Sequence, residues 1–411
     1  MKRSITERLS FLRGNLGVML LSAGVWNLAG QMTMPFYSLY VLGLGGDYVD
    51  IGIISAINAI VRVIPTFLGG YLADTVGRTR IVYSMTFLLA FNELINAFAP
   101  SYQLLFLSAA LGALIGGIRD PAFNSILADS TTPSVRAISY ALWNIVPPLF
   151  GLFSPYAVGV LMDRYGTVVA LRWAYIFVFC MGLITAILRY KFLEETMDDG
   201  GGTKLDLRTV VREIVEDFRV TVAFLPRQLW VFFGIDLLFI LGWAMIDPFT
   251  VTFAKEVVGV SSTQWGLQMM LWSLVSILVK LPAARASDLY GRLKFIKPTV
   301  LFYPVVILCL TRARSFQDVL IIRMAVAVLS SIDTPAWQAL YIDYLPQEHR
   351  GRFSALRSLG WTVVWSTGGI VGGYLYQELS KETPFLLGSG LLLLGALGFL
   401  VLVREPERRE T

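Results

Sequence analysis

The hexapeptide ADTVGR at residues 73–78 returns as SDLYGR at residues 287–292, placing Asp74 over Asp288, Gly77 over Gly291 and Arg78 over Arg292 at an offset of 214. The same offset lays DPAFNSILAD (120–129) on TPAWQALYID (334–343), so that Pro121 meets Pro335 and Asp129 meets Asp343. Arg136 then meets Arg350, Gly52 meets Gly266 and Gly159 meets Gly373, while Pro35 and Pro248 agree within one residue. Isolated identities at one offset arise by chance, but ordered matches concentrated in Gly, Pro and charge do not. The chain reads as two related halves.

Composition says what each half is made of. Only 15% of the 411 residues are charged, 55% are hydrophobic and the mean hydropathy is +0.64; a soluble domain carries roughly 25% charged residues. A bilayer core about 30 Å thick takes about 20 apolar residues per helix. Apolar stretches fall at about 15–41, 51–73, 79–99, 103–127, 137–162, 172–193, 228–253, 263–285, 295–311, 317–343, 352–377 and 384–403. The expected fold is an all-α polytopic membrane protein, with twelve transmembrane helices in two pseudo-symmetric six-helix bundles. Residues 1–193 are expected to form the first bundle, 194–227 a linker and 228–411 the second bundle. The linker opens with the acidic, glycine-rich EETMDDGGG. Leu207, Val210, Val211, Ile214, Val215 and Phe218 then recur at helical spacing among charges, which predicts an amphipathic helix at the membrane surface.

Of the 34 Lys and Arg residues, 24 fall on the side of the N-terminus and 6 on the other, with four inside spans. That bias places both termini and the linker in the cytoplasm, for a protein of the cytoplasmic membrane. The basic arm of Lys2, Arg3, Arg8 and Arg13 precedes an apolar run too long for a signal peptide, so that run is expected to remain as the first span.

Several chemistries are disfavoured. Cys180 and Cys309 lie in apolar runs, against a disulfide framework or thiolate metal site. The single histidine, His349, lies in a polar loop, so no His/Cys metal cluster or Ser-His-Asp hydrolase is expected. No cofactor motif or GxxxxGK[ST] phosphate loop is present, against ATP-driven transport. The net charge of +5 is spread over membrane loops and marks no nucleic-acid patch. A membrane enzyme, receptor or channel remains as a rival to a transporter; a channel has no need of two halves with matching loop motifs. Such repeats, joined by a long loop between spans six and seven, imply an axis along the membrane normal and a site between the halves near the midplane.

The loops then become specific. GGYLADTVGRTR (69–80) resembles the loop 2–3 signature of the major facilitator superfamily, and RASDLYGRLK (285–294) resembles its degenerate copy in loop 8–9. The resemblance implies a secondary transporter whose first, fourth, seventh and tenth helices line a central path. In these loops Gly69 and Gly70 permit close helix approach, and Asp74 can face the positive end of a helix, which in this fold is the eleventh, beginning near Arg352. Arg78 can pair with Asp129, and Arg292 with Asp343. Gly70, Asp74, Gly77, Arg78, Asp129, Asp288, Arg292 and Asp343 are thus expected to form a cytoplasmic gate. The plain alternative is a solvated loop obeying the charge bias.

A charge at a helix centre is costly and needs a cavity or partner. Arg119 and Asp120 lie in the fourth span, Asp236 and Asp247 in the seventh, and Arg323 and Asp333 in the tenth. The repeat sets Arg119 opposite Asp333, which predicts a pair between the halves. Asp120, Asp247 and Asp333 are candidate proton carriers, with structural pairing to an arginine as the alternative for each. Asn27 and Gln31, with Trp26, Phe36 and Tyr40, form a candidate aromatic and polar wall; Trp337, Trp361 and Trp365 are further candidates for the path. Arg62, Glu93 and Lys280 read at least as well as packing groups.

The fifth span, VPPLFGLFSPYAVG (146–159), loosely resembles the pattern of efflux antiporters, but Ser154 replaces the usual glycine and the early arginine of their fourth span is Ala109 here. The reading is proton-coupled efflux of an amphiphilic small molecule by a monomer in the bilayer. Uptake of a polar metabolite by symport or facilitation stands as the alternative.

Overall fold

The computed structural model describes residues 14–131, 136–197, 227–344 and 350–404. The basic N-terminal arm, the amphipathic segment of the linker and His349 lie outside these.

Twelve helices run through the described residues. α1 is Asn15–Thr33, resuming as Tyr37–Gly43 after a 3-10 turn at Met34–Phe36; α2 is Tyr48–Val76, α3 Arg78–Phe98 and α4 Gln103–Asp129. α5 is Arg136–Phe150, resuming as Ser154–Tyr165, and α6 is Thr167–Phe192. α7 is Arg227–Ile246, followed by a 3-10 turn at Asp247–Phe249 and a short helix Thr250–Glu256; α8 is Ser262–Tyr290 and α9 Leu293–Leu310. α10 is Phe316–Tyr344, α11 Arg350–Glu378 and α12 Thr383–Leu402. In a bilayer every backbone polar group must be satisfied within the segment, which is why apolar runs of this length become helices. Ten of the twelve are long and apolar enough to cross a membrane on composition alone. α1 is diluted by Asn15, Asn27, Gln31 and glycines, and α11 by Arg357, serines, threonines and glycines.

The breaks of α1 and α7 obey the repeat, whereas that of α5 has no counterpart in the continuous α11. Pro35 sits in the turn of α1 and Pro248 in that of α7; a proline lacks the N–H that would continue the hydrogen-bond ladder. Pro65, Pro121, Pro282 and Pro335 instead lie inside continuous helices, as membrane helices tolerate.

The contacts divide the chain into two compact units. The first comprises Met1–Gly46, Ile57–Thr203 and Ser261–Ser273; the second comprises Asp47–Ala56, Lys204–Val260 and Leu274–Thr411. In the first unit the opening of α8 packs on α5: a Cβ added to Gly159 would lie 2.3 Å from the Ser262 carbonyl oxygen, and one on Gly266 2.2 Å from that of Pro155. In the second unit the opening of α2 packs on α11: a Cβ on Gly373 would lie 2.4 Å from the Tyr48 carbonyl oxygen, and one on Gly52 2.4 Å from that of Gly369. Shifted by 214, each contact becomes its counterpart. The glycines matched in sequence are those that let backbones touch, the usual device where lipid is as apolar as the side chains.

Near the α2–α3 loop, the first unit closes on an apolar cluster. Leu16, Met19 and Leu20 of α1 meet Ala73 of α2, Ile81 and Val82 of α3, and Phe123, Ile126 and Leu127 of α4.

Candidate functional site

The two loop motifs begin with the same backbone device. Gly77 has φ of 105° and Gly291 φ of 99°, a left-handed conformation that a side chain disfavours. Each precedes a helix start. In the first copy Arg78 pairs with Asp129 and reaches Asp74 at 3.2 Å. In the second, Arg292 pairs with Asp343 and reaches Asp288 at 3.7 Å. Asp74 and Asp288 are otherwise exposed, and Asp343 is the more enclosed acceptor, its side chain 8% exposed against 42% for Asp129. The close approach in the first motif belongs to Gly69, where a Cβ would fall 2.5 Å from the Ile118 carbonyl oxygen. Gly70 makes only ordinary contact, 4.0 Å from Pro121.

Glu195, read from sequence as part of a loose acidic linker, is held here. Its carboxylate accepts hydrogen bonds from the amides of Arg78 (3.2 Å) and Thr79 (3.0 Å) and from the Thr79 hydroxyl (2.7 Å), capping α3. Partial burial works against its ionisation, but these bonds outweigh it and hold the carboxyl below its ordinary range. Asn15 exchanges hydrogen bonds with the Glu194 backbone at 2.7 and 2.9 Å, so the end of α6 is tied to the start of α1.

The six charges expected on the lining helices each have a partner within their own unit. In the first, Arg119 donates to Asp120 through Nε at 3.0 Å and Nη2 at 2.7 Å, and Arg62 pairs with the other Asp120 oxygen. Glu93 accepts from the Asn96 amide at 2.9 Å, beside Tyr37 and Tyr175. In the second, Asp236 is buried and accepts from Trp337 Nε1 (3.1 Å), the Tyr341 hydroxyl (2.7 Å) and Arg357 Nε (3.0 Å). Asp247, at the 3-10 break of α7, exposes its side chain and is paired electrostatically with buried Arg323. Asp333 is held by the hydroxyls of Tyr303 and Thr334. Arg119 and Asp333, which the repeat sets opposite each other, each have partners within their own unit. Beside Arg357, the residues Gln338, Tyr341, Ser354, Ser358 and Trp361 line a cavity of about 390 Å³.

A profile for the Major Facilitator Superfamily matches residues 17–240 and again residues 232–411. The chain belongs to that superfamily. It is 20% identical over 379 residues to the quinolone resistance protein NorA of Staphylococcus aureus, covering 92% of this chain and 93% of NorA. It is 21% identical over 396 residues to the uncharacterized MFS-type transporter MJ1560 of Methanocaldococcus jannaschii, covering 96% and 99%. Among solved structures, the human organic anion transporter MFSD10 (TETRAN) superposes with a TM-score of 0.67 at 17% identity, over 96% of this chain and 100% of that one. A POT family transporter in complex with 5-aminolevulinic acid superposes at 0.75 and 11% identity, over 94% and 95%. These structural likenesses establish the superfamily fold, and the protein is an integral multi-pass membrane transporter.

On the superfamily fold, the wall expected along α1 divides. Phe36 and Tyr40 are fully buried, and Asn27 and Gln31 press on Gly151 at the break of α5. Trp337 stacks on Phe399 of α12 with ring centroids 5.0 Å apart, and Trp361 stacks on Trp365 at 5.1 Å. Two functional groups escaped the sequence reading. Arg189 and Arg357 were counted among the loop cations, yet Arg189 is 3% exposed inside the first unit and Arg357 bonds to Asp236 inside the second. Both lie within a few residues of a span end, where a count of charges cannot separate a rim residue from a lumenal one.

Proposed function

We propose that the protein exports an amphiphilic small molecule across the cytoplasmic membrane by alternating access, with protons moving the opposite way and both termini in the cytoplasm. The observation that carries the coupling is Asp333. Protonating Asp120 would take the shared carboxylate from two arginines, and protonating Asp247 would remove the negative charge that acts on Arg323. Asp333 has no arginine or lysine partner among the described residues: it accepts from the hydroxyls of Tyr303 and Thr334, which can turn to serve either protonation state, and from backbone N–H groups beside it. Of these three carboxylates it is the one whose protonation takes a partner from no arginine. The whole-length likeness to a resistance protein fits outward movement. The two Arg–Asp loop motifs then act as the cytoplasmic gate, with Asp74 and Asp288 free to engage and release.

The test is reconstitution of the purified monomer in liposomes carrying a pH gradient of either polarity, following a fluorescent quinolone and internal pH together. Counter-movement of drug and protons, lost in Asp333→Asn while drug binding persists, is the expected result. Movement in the same direction as the protons would make the protein a symporter, and gradient-independent movement a facilitator. Cysteines placed at Gly201 and Lys381 in a variant lacking Cys180 and Cys309 test the orientation: in intact cells only Lys381→Cys should react.

A further inference from the structure

Three guanidinium groups of the first unit converge from α2, α4 and α6. Arg62 lies over Gly116, where an added Cβ would be 3.6 Å from its Nη1, and Arg62 uses one oxygen of Asp120. Arg119 uses the other oxygen of Asp120 and sits 5.8 Å from the centroid of the Trp26 ring. Arg189 donates to Ser22 Oγ at 3.2 Å and Thr86 Oγ1 at 2.8 Å, with its guanidinium 4.7 Å over the Phe123 ring. Arg119 feels the charge of both Arg62 and Arg189, so the three form one electrostatic group. Among the described residues, Arg62 and Arg119 share the carboxylate of Asp120, both of whose oxygens are taken, while Arg189 has hydroxyl partners. Glu93, the unit's other carboxylate within the membrane, is turned to Asn96 and the tyrosines. Three positive charges and one negative charge thus occupy membrane depth together.

Such an excess is costly in a bilayer unless a counter-charge arrives. The side chain of Arg62 is 44% exposed within a membrane helix; a guanidinium facing lipid is disfavoured, so this one faces water that a solute can enter. Arginine presents a planar fork suited to carboxylate, sulfonate and phosphate oxygens, and Trp26 lies beside Arg119 as an apolar ring.

We infer that Arg62, Arg119 and Arg189 form an anion-binding subsite, and that the transported molecule carries an anionic head on an aromatic or apolar body. The inference rests on the transporter reading and narrows its substrate class. Arg62 and Arg119 take the head group, Trp26 stacks on the body, and Arg189 supplies positive potential from behind.

Thermal stability of the purified protein in neutral detergent tests this with three probes that share a naphthalene ring: a sulfonate, a methylammonium and a methanol. The sulfonate should stabilise the protein in a saturable manner and the other two should not. Arg62→Gln, at a half-exposed position, and Arg119→Gln should each weaken sulfonate binding by about tenfold or more. Arg164→Gln, in an exposed position at the end of α5, should bind as the unaltered protein does. Equal binding of the ammonium, or unchanged sulfonate affinity in Arg62→Gln, would overturn the inference. So would phosphatidylglycerol displacing the sulfonate while the sulfonate is never carried across liposomes, since the site would then belong to lipid. The two readings fail separately. Sulfonate binding without gradient-driven movement sinks the proton-coupled reading, and movement of the ammonium alone sinks the subsite.

Discussion

Replacing Gly69 and Gly70 by alanine, one at a time, separates packing from gating at adjacent residues of one motif. In Gly69→Ala the new methyl would lie 2.5 Å from the Ile118 carbonyl oxygen and 2.7 Å from its Cα. Ordinary contact begins at 3.4 Å, so roughly 0.9 Å is missing against backbone that cannot rotate away. α2 and α4 must part, and overpacking of that kind costs about 1–3 kcal/mol. Alanine returns about 1 kcal/mol of helix propensity at either position, leaving Gly69→Ala destabilised by up to about 2 kcal/mol. Gly70→Ala meets only Pro121 at 4.0 Å and should be neutral or slightly stabilised. Thermal unfolding in detergent reads the first difference. Transport reads the second, because a gate that closes on Gly70 would lose rate in Gly70→Ala with stability unchanged. Equal melting temperatures for both variants would refute the packing argument, as would a larger loss in Gly70→Ala.

Three further outcomes are expected. Glu195→Gln should destabilise by ~0.5 kcal/mol at neutral pH, the low end for a helix cap because the carboxylate is exposed. Its folded-state carboxyl lies below the ordinary range, so its stabilisation is present above the unfolded value near 4.3 and fades as pH falls through the folded one; unfolding curves of the two proteins should converge at about pH 3–4. Asp343→Ala, which strips an enclosed acceptor from Arg292, should cost about 3 kcal/mol, whereas Asp129→Ala should cost about 1 kcal/mol or less; denaturation in low and high salt checks both the ranking and its origin. Arg119→Ala and Asp333→Ala should combine additively in stability to within about 0.5 kcal/mol, because each charge has its own partner, and a larger coupling in the double variant would restore the pair anticipated from the repeat.

Sequence made the architecture readable where it recorded backbone requirements. Gly159 with Gly373 and Gly52 with Gly266 matched at one offset because each stands where two helices touch, and no other residue fits such a contact. Pro35 and Pro248 matched because both break a helix. Partnerships of charge were less legible. Which neighbour Arg119 takes depends on the rotation of α4 and the reach of Arg62 from α2, neither of which periodicity fixes. Arg357 and Arg189 sat close enough to span ends to be counted as loop cations, and Glu195 stood in a glycine-rich run whose composition hid its bonds to α3. Adjacent Gly69 and Gly70 were indistinguishable until the facing backbone of Ile118 was known.

The breaks in α1 and α7 have a mechanical consequence. A continuous helix behaves as a rod, and bending it sharply means opening hydrogen bonds that have no replacement in lipid. A helix already divided by a proline turn carries a joint, with the cost of interrupting its ladder met when the chain folds. Tyr37–Gly43 and Thr250–Glu256, each only seven residues long, are therefore set apart from the long arms by such joints at corresponding points of the duplicated halves. Leu39, Tyr40 and Val41 of the one and Thr250, Val251, Thr252, Phe253 and Ala254 of the other are buried, so each joint lets a short segment seat itself in its own half while the long arm stays straight.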